Sequence, residues 1–330
     1  MATLSIRLDR SRVERLLRGA VSVVHPGATF RVHGPGALDC LQGLLTNDLV
    51  APGANQLVYG ALLTPKGMIV VDLWVSRRPA DLILIVPAEG HQQTVELLQR
   101  SLPPRLATVE DLSQSWSAMW LYGDHVEGAL AETRLIHAPP AVEPGAVTEA
   151  NLLGVPVMVA AGSAPAPFKF VLTGPRDAIA QVGIVLADNG VATGDSDDYH
   201  AARILAGWPA LGLEIGSKTL PQEVRFESLE GVSYTKGCFT GQETVSRVHF
   251  RGRTQREVRG LDWSDLQPLD GAEIHGDRLL GEVHSVLVLP DRRIGLGTVR
   301  READVGDAVL AGGREATIVP LPFDPPVQAA

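Results

Sequence analysis

The stretch QLVYGALLTPKGMIVVDLWVSRR, residues 56–78, constrains the fold more than any other. Two apolar runs flank Thr64-Pro65-Lys66-Gly67, a strong turn signal, and predict a β-hairpin. DLILIVP follows as a third strand. HQQTVELLQRSL then spaces Val95, Leu97, Leu98 and Leu102 for one side of a helix. SWSAMWLYG, VPVMVAAG and FKFVLTG read as further strands, and PRDAIAQVGIVLADNG as a helix closing at Gly190. This mixed order with hairpins predicts an α+β fold rather than a doubly wound parallel sheet. No G-x-G-x-x-G follows a strand, so a Rossmann dinucleotide site is not expected.

Upstream, VSVVHPGATFRVH reads as short strands broken at Pro26-Gly27. In GPGALDCLQGLLTNDL, Ala37, Leu38, Leu41, Leu44 and Leu45 recur every three or four residues, as on a buried helix face, after a turn at Gly34-Pro35-Gly36. Cys40 lies beside that stripe and reads as core-adjacent packing. From about Arg256 the texture changes to short strands separated by Asp270-Gly271, Pro290-Asp291 and Gly312-Gly313, which predicts a small β-barrel. The expected division is therefore 1–255 and 256–330, the first region in two intertwined parts. No period of 20 to 50 residues points to a solenoid. The Ala-, Pro- and Glu-rich stretch ALAETRLIHAPPAVEPGAVTEANLLG is too short and mixed to be low-complexity.

A chain of 330 residues, 45% of them apolar, can bury two or three compact units. The net charge of −9 argues against a general nucleic-acid-binding surface but leaves room for a local basic patch. Two cysteines make no disulfide framework, the charged N-terminus has no apolar signal core, and no apolar run approaches the roughly 20 residues of a membrane span. A cytoplasmic protein without membrane contact is expected.

The second cysteine, Cys238, stands in YTKGCFTGQETVSR. Thr240 to Glu243 fits T-x-x-E, which predicts a capping box with Thr240 as N-cap and Glu243 reaching back. Val245 and Val248 would face inward. Cys238 would then lie beside free N–H groups and Lys236, a setting that favours thiolate, while the charge of Glu243 opposes it. Gly237 and Gly241 permit sharp turns or close approach. A structural loop with Cys238 as a small packing residue is equally consistent with these residues. One cysteine without a second ligand is no metal site. Downstream, Arg247, Arg251, Arg253, Arg256 and Arg259 form a basic cluster that could face carboxylates or phosphates, or simply be a solvated strand.

KGCFTGQE resembles the signature of the YgfZ family, Lys-Gly-Cys-aromatic-x-Gly-Gln-Glu, and meets it at Lys236, Gly237, Cys238, Phe239, Gly241, Gln242 and Glu243. GALDCLQGLLTNDL, LLTPKGMIVVDLWV, RILAGWPALGLEI and FRGRTQREVRGL are similar to other family segments in the same order, so the likeness spans about residues 28–300. The resemblance implies the fold of the glycine cleavage T-protein: parts around a central channel that binds tetrahydrofolate, and a small C-terminal β-barrel. It implies a folate-binding accessory role in assembly or repair of iron–sulfur proteins, including radical enzymes that thiolate tRNA. Client or assembly proteins would be the partners of a monomer, with no direct nucleic-acid contact.

On that resemblance Lys236 and Cys238 are the reactive pair, while Gln242 and Glu243 hold the loop by capping. Asn47 and Asp48 at the end of the first helix, Asp72 and Arg203 are candidates for the folate channel, and Arg247, Arg251 and Arg253 for a partner patch. The alternative is a folate-dependent aminomethyl or other one-carbon transferase, or a demethylase. The T-protein carries an Asp-Asp pair where this chain reads Val71-Asp72, so one carboxylate is missing.

Overall fold

The computed structural model describes residues 3–25, 27–132, 143–152 and 154–323. Pro26 and residues 133–142 of the Ala-, Pro- and Glu-rich stretch therefore lie outside the described residues. The hairpin is present as Gln56–Leu63 and Ile69–Arg77, with Thr64 N–H bonded to the Met68 carbonyl across the turn. It continues through Asp81–Pro87 and Gly27–His33 to Thr108–Asp111 as a five-stranded antiparallel sheet. Side chains alternate between its faces. Val58, Leu62, Val71, Leu73 and Val75 enter an outer core with Phe30, Leu41 and Leu98, under helices Ala37–Gln42 and His91–Ser101. Leu57, Tyr59, Ala61 and Trp74 enter the central core. Burial of both faces explains why these strands read as near-continuous apolar runs.

A second, six-stranded sheet runs in the order Ala192–Thr193, Val21–Val24, Trp116–Tyr122, Phe170–Pro175, Val155–Ala161, Val147–Leu152. Helix Arg176–Asp188 covers its outer face through Ile179, Val182 and Leu186. Its inner face sends Val21, Val23, Ala118, Trp120 and Tyr122 into the same central core that the first sheet enters. Strand Val21–Val24 precedes the first sheet in sequence yet belongs to the second, so the chain passes between the two.

The C-terminal strands Arg256–Trp263, Glu273–His275, Leu279–Val288, Arg293–Arg300, Ala308–Ala311 and Arg314–Val319 close into a six-stranded barrel. Closure comes from Leu279–Val288, which pairs with both Glu273–His275 and Arg293–Arg300. Strand Leu4–Arg7 adds in parallel to the outside of Leu279–Val288, a long-range pairing that no local pattern announces. The fold is thus α+β, with a mixed α/β body and the expected barrel.

Helix Ser196–Leu205 sits where these units meet. Asp195 caps it, accepting from the N–H groups of Asp197 and Asp198. Arg203, 1% exposed, donates to Glu214 at 3.2 Å, to Ser285 on the barrel at 2.7 Å and to His200 Nδ1 at 2.9 Å. Ser285 donates to the other Glu214 oxygen at 2.5 Å. This network bolts the body to the barrel.

The hairpin tip docks on the segment carrying Cys238. Gly67 and Gly241 both have φ near the left-handed region, +84° and +83°. A Cβ on Gly241 would stand 2.7 Å from the Thr64 carbonyl oxygen and 2.9 Å from Gly67 Cα. At Gly237 a Cβ would meet open space, so the packing there does not depend on the missing side chain.

Two outcomes follow for chemical denaturation. Arg203→Ala or Glu214→Ala should each cost about 3–5 kcal/mol by stranding a buried charge, whereas the double change to Met and Leu should cost less than the two singles together. Gly241→Ala should cost on the order of 1–3 kcal/mol through backbone strain, and Gly237→Ala no more than about 0.5 kcal/mol.

Candidate functional site

The segment around Cys238 is fastened to residues 42–47, nearly two hundred positions earlier. Lys236, 7% exposed, turns its ammonium inward and donates to the carbonyls of Gln42 at 2.6 Å, Leu45 at 2.8 Å and Asn47 at 2.8 Å. Burial pulls this amine down to about 8, against the attraction of Asp48, so it is still charged at neutral pH and can donate all three protons. Thr46 Oγ1 donates to Gly231 O at 2.6 Å, and Thr240 N–H donates to Gly43 O at 3.0 Å. Phe239 inserts into the central core, and the Lys236 ammonium stands 5.3 Å from its ring centroid.

Several expectations change here. Lys236 and Cys238 do not form a pair facing one site: the lysine is buried among carbonyls and the cysteine thiol is exposed. The capping box is absent. Helix Gln242–Arg251 begins one residue later than the motif suggests, with Gly241 at the N-cap and no side-chain cap. The physical reason is the close approach of Gly241 to the hairpin, which requires a left-handed glycine at the position where a capping side chain would sit. Glu243 is exposed, Val245 is buried and Val248 half-buried.

Asn47 and Asp48 do not end a helix, because Ala37–Gln42 stops at Gly43. Asn47 donates to Glu230 O at 2.6 Å and Tyr59 O at 2.9 Å. Asp48 accepts from the N–H groups of Val50 and Ala51 and from Gln42. These bonds hold its carboxyl below the usual range although burial alone would raise it. Both residues shape the loop that Lys236 grips. Arg203 is spent on the network above; it does not line the central cavity and reaches it through His200 and the Trp208 carbonyl, at 3.4 Å.

Asp72 does reach that cavity. Strand alternation sets it beside Trp74 and opposite Ala61, on the inner face. The cavity, about 350 Å³, is walled by Trp74, Trp120, Tyr122, Phe168, Tyr199 and Trp208, with His25, Glu89 and His200 also at its surface. Asp72 is 7% exposed; Oδ2 accepts from the Tyr59 hydroxyl at 3.0 Å, while Oδ1 has no partner among the described residues. Trp120 Nε1, a donor, is likewise unmatched among them. Burial lifts the Asp72 carboxyl to about 6, although the Tyr59 hydrogen bond opposes the rise. Burial also pushes His25 down to about 3, and burial with Arg203 pushes His200 down to about 4, so both imidazoles are neutral at pH 7. The aromatic walls escaped the sequence reading. Their one signal was that the chain has only five tryptophans, three of which meet here.

No residue of 236–243 lines the cavity, so thiol and cavity are two separate places on the molecule. Arg247, Arg251 and Arg253 are exposed, and none makes an ion pair among the described residues. Among those residues no cluster of His, Cys, Asp or Glu could hold a metal ion, and no helix is long and apolar enough to cross a membrane.

Residues 18–225 match the GCVT N-terminal domain. The tRNA-modifying protein YgfZ of Yersinia enterocolitica is 30% identical over 165 residues, covering 47% of this chain and 50% of that protein. That of Yersinia pestis is 31% identical over 139 residues, 39% of this chain and 42% of that protein. The chain spans about half the length of the curated relatives it matches. In architecture it is similar to the glycine cleavage system aminomethyltransferase T of Bartonella henselae, with a TM-score of 0.80 over 96% of this chain and 89% of that one at 19% identity. A domain match over most of its length, joined to the KGCFTGQE signature and a T-type body with its barrel, shows that the chain belongs to the GCVT N-terminal domain family and within it resembles the YgfZ proteins.

Proposed function

We propose that this protein is a folate-binding accessory factor for the maturation or repair of iron–sulfur proteins that modify tRNA. The observation that carries the reading is Asp72, a buried carboxylate with one oxygen unmatched, inside an aromatic cavity. A reduced pterin suits such a place. Its flat ring stacks on aromatic walls, and its 2-aminopyrimidine edge offers adjacent N–H donors to a carboxylate. The volume lies at the lower end of the roughly 300–1,000 Å³ common for small-molecule pockets. Asp72 would orient the ring, Trp120 Nε1 would donate to an acceptor on it, and the other aromatics would exclude water. Neutral His25 and His200 leave the carboxylate without a competing cation. Bound tetrahydrofolate would supply amines able to carry a one-carbon unit.

The name shared by the Yersinia relatives supports the tRNA-modification setting. Cys238 would act at the second place. It is exposed on a rigid loop and can contribute one thiolate, whereas a [4Fe–4S] cluster takes four. Cys40 is half-buried against the outer core and offers no second one. The thiol therefore meets a cluster or a cysteine that belongs to a client.

One-carbon transfer is the second reading. An Asp72 carboxyl near 6 in a shielded cavity could exchange a proton with a bound amine near neutral pH. Against it stands Val71, in the position of the missing acid. It is fully buried in the outer core and turned away from the cavity by strand alternation.

Tetrahydrofolate affinity, measured by calorimetry, should be full well above pH 6 and should weaken as the pH falls through about 6 and Asp72 is protonated. Asp72→Asn should weaken binding. Because the folded-state carboxyl is raised from its ordinary 3.8, ionisation destabilises the fold, and Asp72 loses stability as pH rises from about 4 through 6. At about 1.4 kcal/mol per pKa unit, Asp72→Asn should gain up to about 3 kcal/mol at pH 8, and less toward pH 5. Unchanged affinity in Asp72→Asn would remove the cavity from the proposal.

Cys238→Ser should leave tetrahydrofolate binding intact while failing to restore thiolated tRNA in a deletion strain. Restoration by that variant would exclude a thiol role. Asp72-dependent turnover of aminomethyl or methylamine donors would favour the transferase reading.

A further inference from the structure

Helix Gln242–Arg251 buries Val245 and turns Glu243, Arg247, Phe250 and Arg251 outward. These positions are spaced for one helix face. Phe250 is 68% exposed, the most exposed large apolar side chain among the described residues. It does not hang free. Its ring meets His249 edge-on at 4.6 Å, and His249 stacks on Tyr234 at 3.7 Å with the planes 17° apart. Glu227 Oε2 stands 3.4 Å from the imidazole Nδ1. The phenyl ring is thus a braced platform.

Exposed arginines share its helix and the residues just after it. Arg247, Arg251 and Arg253 make no ion pair among the described residues, in a chain with a net charge of −9. Arg253 also lines a cleft of about 770 Å³ between body and barrel, with exposed Lys218 and Arg300 along the same cleft. The carboxylates there are Glu214, held by Arg203, Glu223, paired with Arg256, and the exposed Glu282. Glu243 on the same helix face and Glu227 beside His249 offset part of this charge. With Glu282 they set three carboxylates against the five cations Arg247, Arg251, Arg253, Lys218 and Arg300. The screening length of about 8–10 Å at physiological salt limits what acidity elsewhere on the chain adds.

We propose that this face binds single-stranded RNA. A base stacks on Phe250, phosphates meet Arg247, Arg251 and Arg253, and the strand continues into the cleft past Lys218 and Arg300. Alternating flat rings and phosphates match an aromatic platform edged with unpaired guanidiniums, the combination by which single strands are held without sequence preference. An acidic protein segment would satisfy the arginines but leaves a braced, exposed ring without a purpose. The proposal deepens the tRNA-modification reading, on which it rests for its biological setting: the chain would touch the RNA itself.

The test is fluorescence anisotropy with a short fluorescein-labelled single-stranded RNA of mixed sequence, and with the same RNA annealed to its complement, across a salt series. The single strand should bind more tightly than the duplex, with affinity falling as salt rises. Phe250→Ala should weaken binding roughly 5- to 150-fold, as loss of one stacked base does, and Phe250→Tyr should retain it. Each of Arg247→Gln and Arg251→Gln should lower the salt slope by about one. Thermal melting and tetrahydrofolate binding confirm that each variant is folded.

Absence of RNA binding at low salt, equal affinity for the duplex, or binding indifferent to Phe250→Ala overturns the proposal. So does capture of an acidic protein by this face when RNA does not bind. RNA binding lost with folate binding intact leaves the cavity reading standing, and the converse leaves this one.

Discussion

The buried pair Arg203–Glu214, closed by Ser285, is the interaction on which the rest of the architecture depends. Two charges taken out of water are tolerable only if each remaining proton and lone pair is matched. The match draws on two nearby pieces of chain and one far away in sequence. Arg203 comes from the central helix, Glu214 from the segment that also supplies Trp208 and Leu211 to the cavity, and Ser285 from the barrel. Satisfying one pair therefore sets the body against the barrel and the cavity wall against both. His200 completes the connection: its Nδ1 accepts a hydrogen bond from Arg203 Nε–H, and the residue lines the cavity.

The lysine of the KGCFTGQE loop works on the same principle at smaller scale. Its ammonium replaces hydration with three carbonyl oxygens and so pins the loop to residues 42–47. The hairpin tip closes from the other side, glycine against glycine. Between these two clamps the chain has little freedom left, and Cys238, two residues after the lysine, is exposed. Rigid presentation of an exposed thiol is a different device from an activated nucleophile beside a base. It suits contact with another macromolecule.

Asp72 carries the opposite trade. An ionised carboxylate under tryptophans weakens the fold, and one of its oxygens is left unmatched by protein. Such a cost persists where a ligand recovers it. Cavity and thiol loop share the central core through Tyr59, Phe226 and Phe239, so both rest on the same packed interior. They remain chemically separate.

Much of this was legible in the chain. Thr64-Pro65-Lys66-Gly67 between apolar runs determined a hairpin, and evenly punctuated short strands after Arg256 determined a barrel, because turns and alternation are local properties of the backbone. KGCFTGQE marked the thiol loop, and the same alternation sends Asp72 and Val71 to opposite faces. What stayed hidden depended on partners far away in sequence. Lys236 looked like a partner for Cys238 until the carbonyls of residues 42–47 claimed it. Thr240 looked like a cap until Gly67 required a bare Gly241 beside it. Arg203 looked like a ligand contact until Glu214 and Ser285 met it. Local order is written in neighbouring residues; the direction of a long polar side chain is set by whichever matched groups the fold brings within reach, and only the tertiary structure decides that.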